Sequence, residues 1–241
     1  WDSLKVHSSG TGGGDSFLAL PPWFGDGMVL QIPTPATPHG FLLGYAGAGA
    51  RVHVCVASHD AATKLEISTT ADAKGFWRVA VGSPADLTEL GIALKGAKTS
   101  LSSNRFHVTV EAKENGSGGW ARVQAENVAF GDVIFCGGQS NMFFPIKLSS
   151  NGRRYRRIAR TLLRKDEAVR FFKAAIGTAA SPRFVLPDPR VLCEKNPRVC
   201  NSWITKEEAL DNGFSFLMDF SAVCFSTALS LFESDRARPT S

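Results

Sequence analysis

Between Met28 and Val128 the chain alternates apolar and polar residues in several short runs. Three of these runs are Val52 to Val56, Phe76 to Val81 and Phe106 to Val110, and in each the valines recur at every second position. A period of two residues is typical of half-buried strands. Segments rich in Gly, Asn, Asp and Ser separate the runs at 47–49, 72–75, 96–103 and 115–119. The pattern predicts an antiparallel β-sandwich without a long helix.

The pattern changes after Gly131. Residues 133–136 form a continuous apolar run, residues 153–165 carry apolar side chains at helical spacing, and residues 169–172 are again mostly apolar. This order predicts a strand, a turn, a helix and a second strand. Strands that are apolar on both faces are typical of a parallel sheet covered by helices. We therefore expect residues after Gly131 to open an α/β domain.

These patterns divide the chain into two folded parts with a short tail at each end. We predict a disordered tail over 1–17, a β-sandwich over 18–128, an α/β region over 129–235 and a second tail over 236–241. Residues 177–201 contain repeated prolines and scattered charges, which predicts a long surface loop. The apolar pattern that resumes at 214–232 predicts a helix from about Phe220. The expected fold class is α+β.

The net charge of +5 comes partly from a stretch of arginines between Arg153 and Arg170. Such a stretch could bind nucleic acid. However, apolar residues recur between the arginines at helical spacing, at Tyr155, Ile158, Ala159, Leu162 and Leu163. This spacing predicts an amphipathic helix whose basic face lies in water, and no nucleic-acid partner. No apolar run approaches the roughly 20 residues needed to cross a bilayer, so we predict no membrane span.

The sequence has five cysteines and no CxxC pair. Because zinc and redox sites commonly use such pairs, we predict no metal and no cofactor. Cys55 and Cys136 lie in apolar runs, where a buried thiol is the commoner explanation. Cys193 and Cys200 lie in the predicted loop and are candidates for a small disulfide. Asn115-Gly116-Ser117 matches an N-glycosylation sequon, which weakly favours a secretory compartment.

The segment after the predicted strand at 133–136 has the composition of a tight turn that could hold a catalytic nucleophile. Its sequence is Gly137-Gly138-Gln139-Ser140-Asn141. Glycines allow a sharp turn and close approach of a ligand, and amides at a helix start can stabilise an oxyanion. Ser140 would lie at the carboxyl edge of the sheet, where open α/β folds bind ligands. Alternatively, Ser140 or Asn141 only caps the helix that follows.

Residues 131–142, GDVIFCGGQSNM, resemble the nucleophile block of sialate O-acetylesterases, whose pattern is close to GDVWLCSGQSNM. These enzymes belong to the SGNH hydrolase superfamily. Three further segments resemble the family in its order: LPPWFGDGMVLQ at 20–31, GFWRV at 75–79 and FSAVC at 220–224. The resemblance covers most of residues 18–232 and is weakest over 177–201. Gly137 departs from the family, which usually has Ser there.

The resemblance implies that the sandwich is an accessory domain and that 129–235 is the N-terminal part of a flavodoxin-like SGNH hydrolase domain. It implies that Ser140 is the nucleophile and that its backbone amide belongs to the oxyanion hole. Gly138, Gln139 and Asn141 would support the turn or bind substrate. The implied substrate is an O-acetylated carbohydrate, which Ser140 deacetylates without a cofactor. A secretory, lysosomal or extracellular location is implied only weakly.

The family takes its general base from a later Asp-x-x-His-like motif, and this chain contains no such motif. All five histidines precede Ser140, at positions 7, 39, 53, 59 and 107. We therefore expect a truncated hydrolase domain, incompletely packed after Gly131, with impaired activity. The alternative is a non-catalytic carbohydrate-binding or interaction module in which the sandwich acts alone.

Overall fold

The computed structural model describes residues 16–21, 23–33, 40–92, 105–116, 119–137, 142, 144–165, 170–172, 203–204, 218 and 220–236. The strands in these ranges are β1 (Leu18–Ala19), β2 (Val29–Gln31), β3 (Gly40–Ala46), β4 (Arg51–Ser58), β5 (Lys64–Thr70), β6 (Phe76–Val81), β7 (Phe106–Lys113), β8 (Ala121–Gly131), β9 (Phe171–Phe172) and β10 (Trp203–Ile204). The helices are α1 (Pro84–Glu89), α2 (Gly152–Lys165) and α3 (Ala222–Arg236), with a 3₁₀ turn at Ile146–Leu148. The chain is therefore α+β, with more sheet than helix.

The largest sheet has five strands in the order β2-β8-β7-β4-β5. Strand β2 runs parallel to β8, while the β8–β7, β7–β4 and β4–β5 pairs are antiparallel. Opposite residues in this register include Val54 and Val110, and Val56 and Val108, all of which are buried. The predicted two-residue alternation is confirmed here, because side chains on one face of a strand recur at every second residue.

A second, antiparallel sheet has the order β1-β3-β6. Its inward side chains, among them Leu42, Trp77 and Val79, belong to the same buried cluster as Val54 and Val110 of the five-stranded sheet. The two sheets therefore share one hydrophobic core.

Two local features explain how the three-stranded sheet is built. Asp72 accepts hydrogen bonds from the backbone amides of Lys74 and Phe76, at 2.8 and 2.9 Å, and so fixes the turn before β6. Gly75 in this turn has φ of +79°, which an L side chain rarely adopts. Gly44 on β3 faces the indole of Trp77, and a Cβ added at Gly44 would lie 2.8 Å from that ring. Both glycines are required for close approach of neighbouring elements.

The predicted strand over 133–136 is wrong. Strand β8 ends at Gly131, and residues 132–137 have no regular secondary structure. Val133, Ile134 and Phe135 are 44%, 45% and 92% exposed. The ladder ends because the partner strand β2 ends at Gln31. The side-chain oxygen of Gln31 instead accepts a hydrogen bond of 2.7 Å from the backbone amide of Val133. An apolar run without a neighbouring strand cannot complete its backbone hydrogen bonds in a sheet.

The predicted parallel sheet after Gly131 is also not found in the described part of the chain. Strand β9 pairs with β10, and the pairing is antiparallel. The amphipathic helix is confirmed as α2, with Ala159 buried and Arg153, Arg154, Arg156 and Arg157 exposed. The helix predicted from about Phe220 is confirmed as α3. Residues of α2, β9 and α3 form a second buried cluster that includes Ala159, Phe171 and Phe225.

Strand β9 lies between the two cores. Phe171 packs in the second cluster, with its ring centroid 5.7 Å from that of Phe225. Phe172 packs against the first cluster, 5.3 Å from the ring of Trp203 on β10. The indole of Trp203 donates a hydrogen bond of 2.7 Å to the carbonyl of Trp23. The β9–β10 ribbon therefore packs against the hydrophobic core that the two larger sheets share.

Several predictions concern residues outside the described ranges. These are most of the tail over 1–17, the loop over 177–201, the proposed Cys193–Cys200 pairing and all but the first residue of the tail over 236–241. That first residue, Arg236, is the last residue of α3 and not part of a tail. Ser16 and Phe17, at the end of the predicted tail, hydrogen-bond to Gly119 and Glu114. Within the described helices, none is both long and apolar enough to cross a bilayer.

Candidate functional site

The four predicted site residues, Gly138, Gln139, Ser140 and Asn141, lie outside the described ranges. Their neighbours on both sides are described. Cys136 and Gly137 precede them, and Met142 follows them. The contacts of these neighbours define where the ends of the Ser140 segment, residues 137–141, are held.

Cys136 forms a disulfide bond with Cys224, with an S–S distance of 2.03 Å and Cα atoms 5.8 Å apart. The prediction of a buried thiol at Cys136 is therefore wrong. The bond joins residues 88 positions apart in sequence and connects the start of the Ser140 segment to the first turn of α3. One signal in the sequence bears on it: the segments 131–142 and 220–224, both singled out in the expectation of one family, each contain one cysteine.

The other end of the Ser140 segment is also held at the start of α3. Pro145 and Ser221 form an antiparallel bridge. On either side of the bridge, the amide of Ile146 donates to the carbonyl of Phe220 and the amide of Ala222 donates to that of Phe144, both at 2.9 Å. The segment 144–146 therefore pairs with 220–222 as a short ladder.

Ser221 has two roles at this junction. Its hydroxyl accepts a hydrogen bond of 3.2 Å from the amide of Cys224, which satisfies one of the free donors at the start of α3. The same oxygen lies 3.9 Å from the sulfur of Met142. Ser221 thus links the residue that follows the Ser140 segment to the helix that carries Cys224.

Helix α2 supports α3 from the side. Tyr155 donates a hydrogen bond of 3.1 Å to the hydroxyl of Ser226, and its ring lies 5.3 Å from that of Phe225 in an edge-to-face arrangement. Ring pairs of this geometry stabilise by about 0.5–1.5 kcal/mol beyond the area that they bury. The start of α3 is therefore held by a packed helix pair.

The described histidines are engaged elsewhere. On the outer face of the five-stranded sheet, His53 lies 3.8 Å from Glu111, and His107 contacts Glu126. Both histidines therefore lie on the face opposite to the buried valines. The ring of His59 lies 5.2 Å from that of His107.

No group of three or more His, Cys, Asp or Glu residues in the described ranges could hold a metal ion. Cys55 on β4 is the free thiol among the described cysteines. Burial, reinforced by the charge of Glu66, raises the pKa of the Cys55 thiol, so its reactive thiolate is disfavoured at neutral pH. Cys55 therefore lacks the activated character of a nucleophile.

No protein-family model matches the chain, and no curated protein matches it either. The class defined by the structure is an α+β chain dominated by antiparallel sheets.

Proposed function

We propose that the chain is a carbohydrate O-acetylesterase-like serine hydrolase of the sialate O-acetylesterase kind, with Ser140 as its nucleophile. One observation carries the proposal. Residues 131–142 and 220–224 resemble blocks of the same family, and the Cys136–Cys224 bond joins them although they are far apart in sequence. The ladder between 144–146 and 220–222 places residues that follow the first block shortly in sequence beside the start of the second block.

The proposed architecture follows the same resemblance. Residues 18–128 would be the β-sandwich accessory domain, which is supported by two sheets sharing one core. Residues 129–235 would belong to an SGNH-type hydrolase domain. Its support is the order of α2, β9 and α3 around a second core, although the described strands there pair antiparallel.

In the proposed reaction the hydroxyl oxygen of Ser140 attacks the acetyl carbonyl carbon of an O-acetylated sugar. The serine proton passes to a base, and the backbone amide of Ser140 stabilises the negative oxygen of the tetrahedral intermediate. The C–O bond to the sugar then breaks, and the sugar oxygen takes the proton. Water hydrolyses the acetyl-serine by the same steps and releases acetate.

The general base of this mechanism is not identified among the histidines of the 241-residue chain. Every histidine precedes Ser140 in the sequence, and His53 and His107 are paired with glutamates. Removing the histidine of a comparable triad lowers kcat by roughly 10⁶. We therefore expect weak turnover, because a serine hydroxyl without a base is a poor nucleophile at neutral pH.

The proposal is tested by supplying the base. Release of acetate from an O-acetylated sugar is measured with and without added imidazole, for the wild-type chain, for Ser140→Ala and for Ser68→Ala on the exposed face of β5. We expect imidazole to increase release by the wild type and by Ser68→Ala, but not by Ser140→Ala. Equal release by all three proteins would contradict a nucleophilic role for Ser140. Strong release without imidazole that Ser140→Ala abolishes would instead refute the missing-base argument.

A non-catalytic carbohydrate-binding module is the second candidate, and one surface favours it. The outer face of the three-stranded sheet carries Phe41, Tyr45 and Phe76, with Phe41 37% exposed. The guanidinium of Arg78 lies over the ring of Phe41, 4.6 Å from its centroid. Aromatic rings beside hydrogen-bond donors suit the apolar faces and hydroxyls of sugars.

For this candidate we expect Phe41→Ala to weaken binding of O-acetylated glycans by about tenfold, because loss of one aromatic contact removes on the order of 1 kcal/mol or more. Calorimetric titration of the wild type, of Phe41→Ala and of Trp120→Ala measures the effect. Trp120 is a matched exposed aromatic residue outside this sheet, 39% exposed. Glycan affinity that is equal in all three proteins argues against the sheet as a sugar-binding face.

A further inference from the structure

Helix α2 has two opposite faces. Its apolar face, with Tyr155, Ile158 and Ala159, packs in the second buried cluster beside Phe225. The side directed away from this cluster carries four exposed arginines near the start of the helix, Arg153, Arg154, Arg156 and Arg157. Because successive turns of an α-helix are about 5.4 Å apart, these side chains form one compact patch. We call this patch the arginine face.

The charge of the arginine face is not neutralised locally. In the described part of the chain, none of its four guanidinium groups forms an ion pair. The sequence from Val133 to Lys165 contains no Asp or Glu, so the helix has no acidic side chain of its own to offset them. The arginine face is therefore a free concentration of positive charge.

The arrangement is unfavourable for the helix itself. Arg153 lies three and four residues before Arg156 and Arg157, and like charges at these spacings repel each other across one turn. Cations near the start of a helix are also unfavourable, because the helix dipole is positive there. A helix face that is only wetted by water does not require such crowding. An anionic partner would offset both costs.

The side-chain chemistry indicates what kind of anion fits. All four residues are arginine and none is lysine. The planar guanidinium donates two parallel hydrogen bonds to one sulfate or carboxylate group, which the ammonium of lysine cannot do. Short runs of basic residues are typical of sites for heparin or for nucleic acid. The face is therefore suited to a polymer that carries such oxyanions in series.

The Cys136–Cys224 bond favours a glycan over a nucleic acid as that polymer. Disulfide bonds persist in oxidising compartments and are rare in the cytosol and nucleus, where nucleic acids are concentrated. The polyanions of the secretory pathway and the cell surface are chiefly sulfated and carboxylated glycans. A disulfide-bonded chain with an arginine face therefore meets sulfated glycans first.

We propose that the arginine face of α2 binds a linear sulfated polysaccharide of the heparin type. Its guanidinium groups pair with the sulfates and carboxylates of neighbouring sugar units, and binding weakens as salt screens these charges. The proposal uses no residue of the Ser140 segment. It goes beyond the proposed function and holds whether or not Ser140 is a nucleophile.

The experiment is calorimetric titration of the full chain with a heparin oligosaccharide at low salt. The test variant carries Arg153→Gln, Arg154→Gln, Arg156→Gln and Arg157→Gln. The matched control removes the same amount of charge from exposed positions of the sandwich, by Arg51→Gln, Lys64→Gln, Lys74→Gln and Arg122→Gln. We expect the test variant to bind roughly 10²-fold more weakly than the wild type. The control should lose less than about threefold, since it changes only the long-range field.

A second variant keeps the charge and changes only the geometry of the donors. It carries Arg153→Lys, Arg154→Lys, Arg156→Lys and Arg157→Lys. We expect it to bind on the order of tenfold more weakly than the wild type, because lysine loses the paired hydrogen bonds to sulfate. Both test variants should be at least as stable as the wild type or close to it in urea unfolding, since glutamine and lysine are good helix formers. If the glutamine variant fails to fold, the lysine variant decides.

The outcomes separate the sulfated polysaccharide from other polyanions. Chemically desulfated heparin should bind the wild type on the order of tenfold more weakly than heparin itself. Equal weakening of the test and control variants would show that net charge alone attracts the glycan, and would overturn the proposal. Full binding by the glutamine variant would do the same, and full binding by the lysine variant would contradict paired bonds to sulfate. A DNA duplex or a phosphatidylserine vesicle that bound the arginine face more tightly than heparin would assign it to another partner.

Discussion

Replacing Trp77 with alanine is expected to lower the free energy of unfolding by about 3–5 kcal/mol. Trp77 is 1% exposed and belongs to the core shared by the two sheets. Its indole packs against the bare backbone of Gly44, so no neighbouring side chain at that position can move in to fill the space. The cavity therefore persists in the folded state, and the lost contacts add to the lost hydrophobic transfer energy. Urea unfolding followed by circular dichroism measures the loss.

Two control variants sharpen the result. Trp120→Ala removes the same side chain from a site that is 39% exposed, and should change stability by less than about 1 kcal/mol. Trp77→Phe should cost much less than Trp77→Ala. The indole nitrogen of Trp77 is buried and finds no hydrogen-bond partner in the described part of the chain, so phenylalanine removes an unsatisfied donor while it keeps most of the volume. Similar losses for Trp77→Ala and Trp120→Ala would show that the shared core is not packed around Trp77.

The strands around this core could be predicted because each carries its own signal. Val52, Val54 and Val56 alternate with polar residues, and this period alone decides which side chains face inward. Helix α2 could be predicted from apolar residues at helical spacing, and α3 from the apolar pattern that resumes at 214–232. The division of strands between two sheets was not predicted, because it depends on partners distant in sequence, such as β2 and β8.

The incorrect prediction of a strand over 133–136 has the same origin, because strand formation there depends on a partner that is distant in sequence. Continuous apolar residues satisfy the requirement for a buried strand, but a strand also needs a neighbour with free hydrogen-bonding groups. Strand β2 ends at Gln31, opposite Gly131. The side-chain oxygen of Gln31 accepts a hydrogen bond from the backbone amide of Val133. Nothing in the local sequence of 133–136 reports where β2 ends.

The candidate site was anticipated only in part. The segment containing Ser140 was singled out for its composition and its resemblance to one family, and its role as nucleophile stays a prediction. The link from Cys136 to Cys224 was missed because the apolar neighbours of Cys136 favoured a buried thiol. An apolar neighbourhood describes burial, but a disulfide is decided by the distance between two cysteines in the fold.

The contact between β9 and the sheets depends on Arg170, which lies directly before β9. Its guanidinium donates hydrogen bonds to the carbonyls of Gly27 and Asn127, and also to the side-chain oxygen of Asn127 at 2.9 Å. Asn127 has a positive φ of 53°, and its backbone carbonyl is one of the groups that the guanidinium satisfies. A planar fork with several donors suits this cluster of oxygens, whereas a lysine could reach fewer of them.

We expect Arg170→Met to lower the free energy of unfolding by about 1.5–3 kcal/mol, because methionine keeps the apolar stem but leaves the acceptors at Gly27 and Asn127 without a charged donor. Arg170→Lys should recover part of the loss. Arg157→Met, on the exposed face of α2, is the matched control and should be nearly neutral. Urea unfolding of the four proteins measures these differences. If Arg170→Met proved as stable as Arg157→Met, the β9–β10 ribbon would have to be held by Phe172 and Trp203 alone, since those side chains provide its other described contacts with the first core.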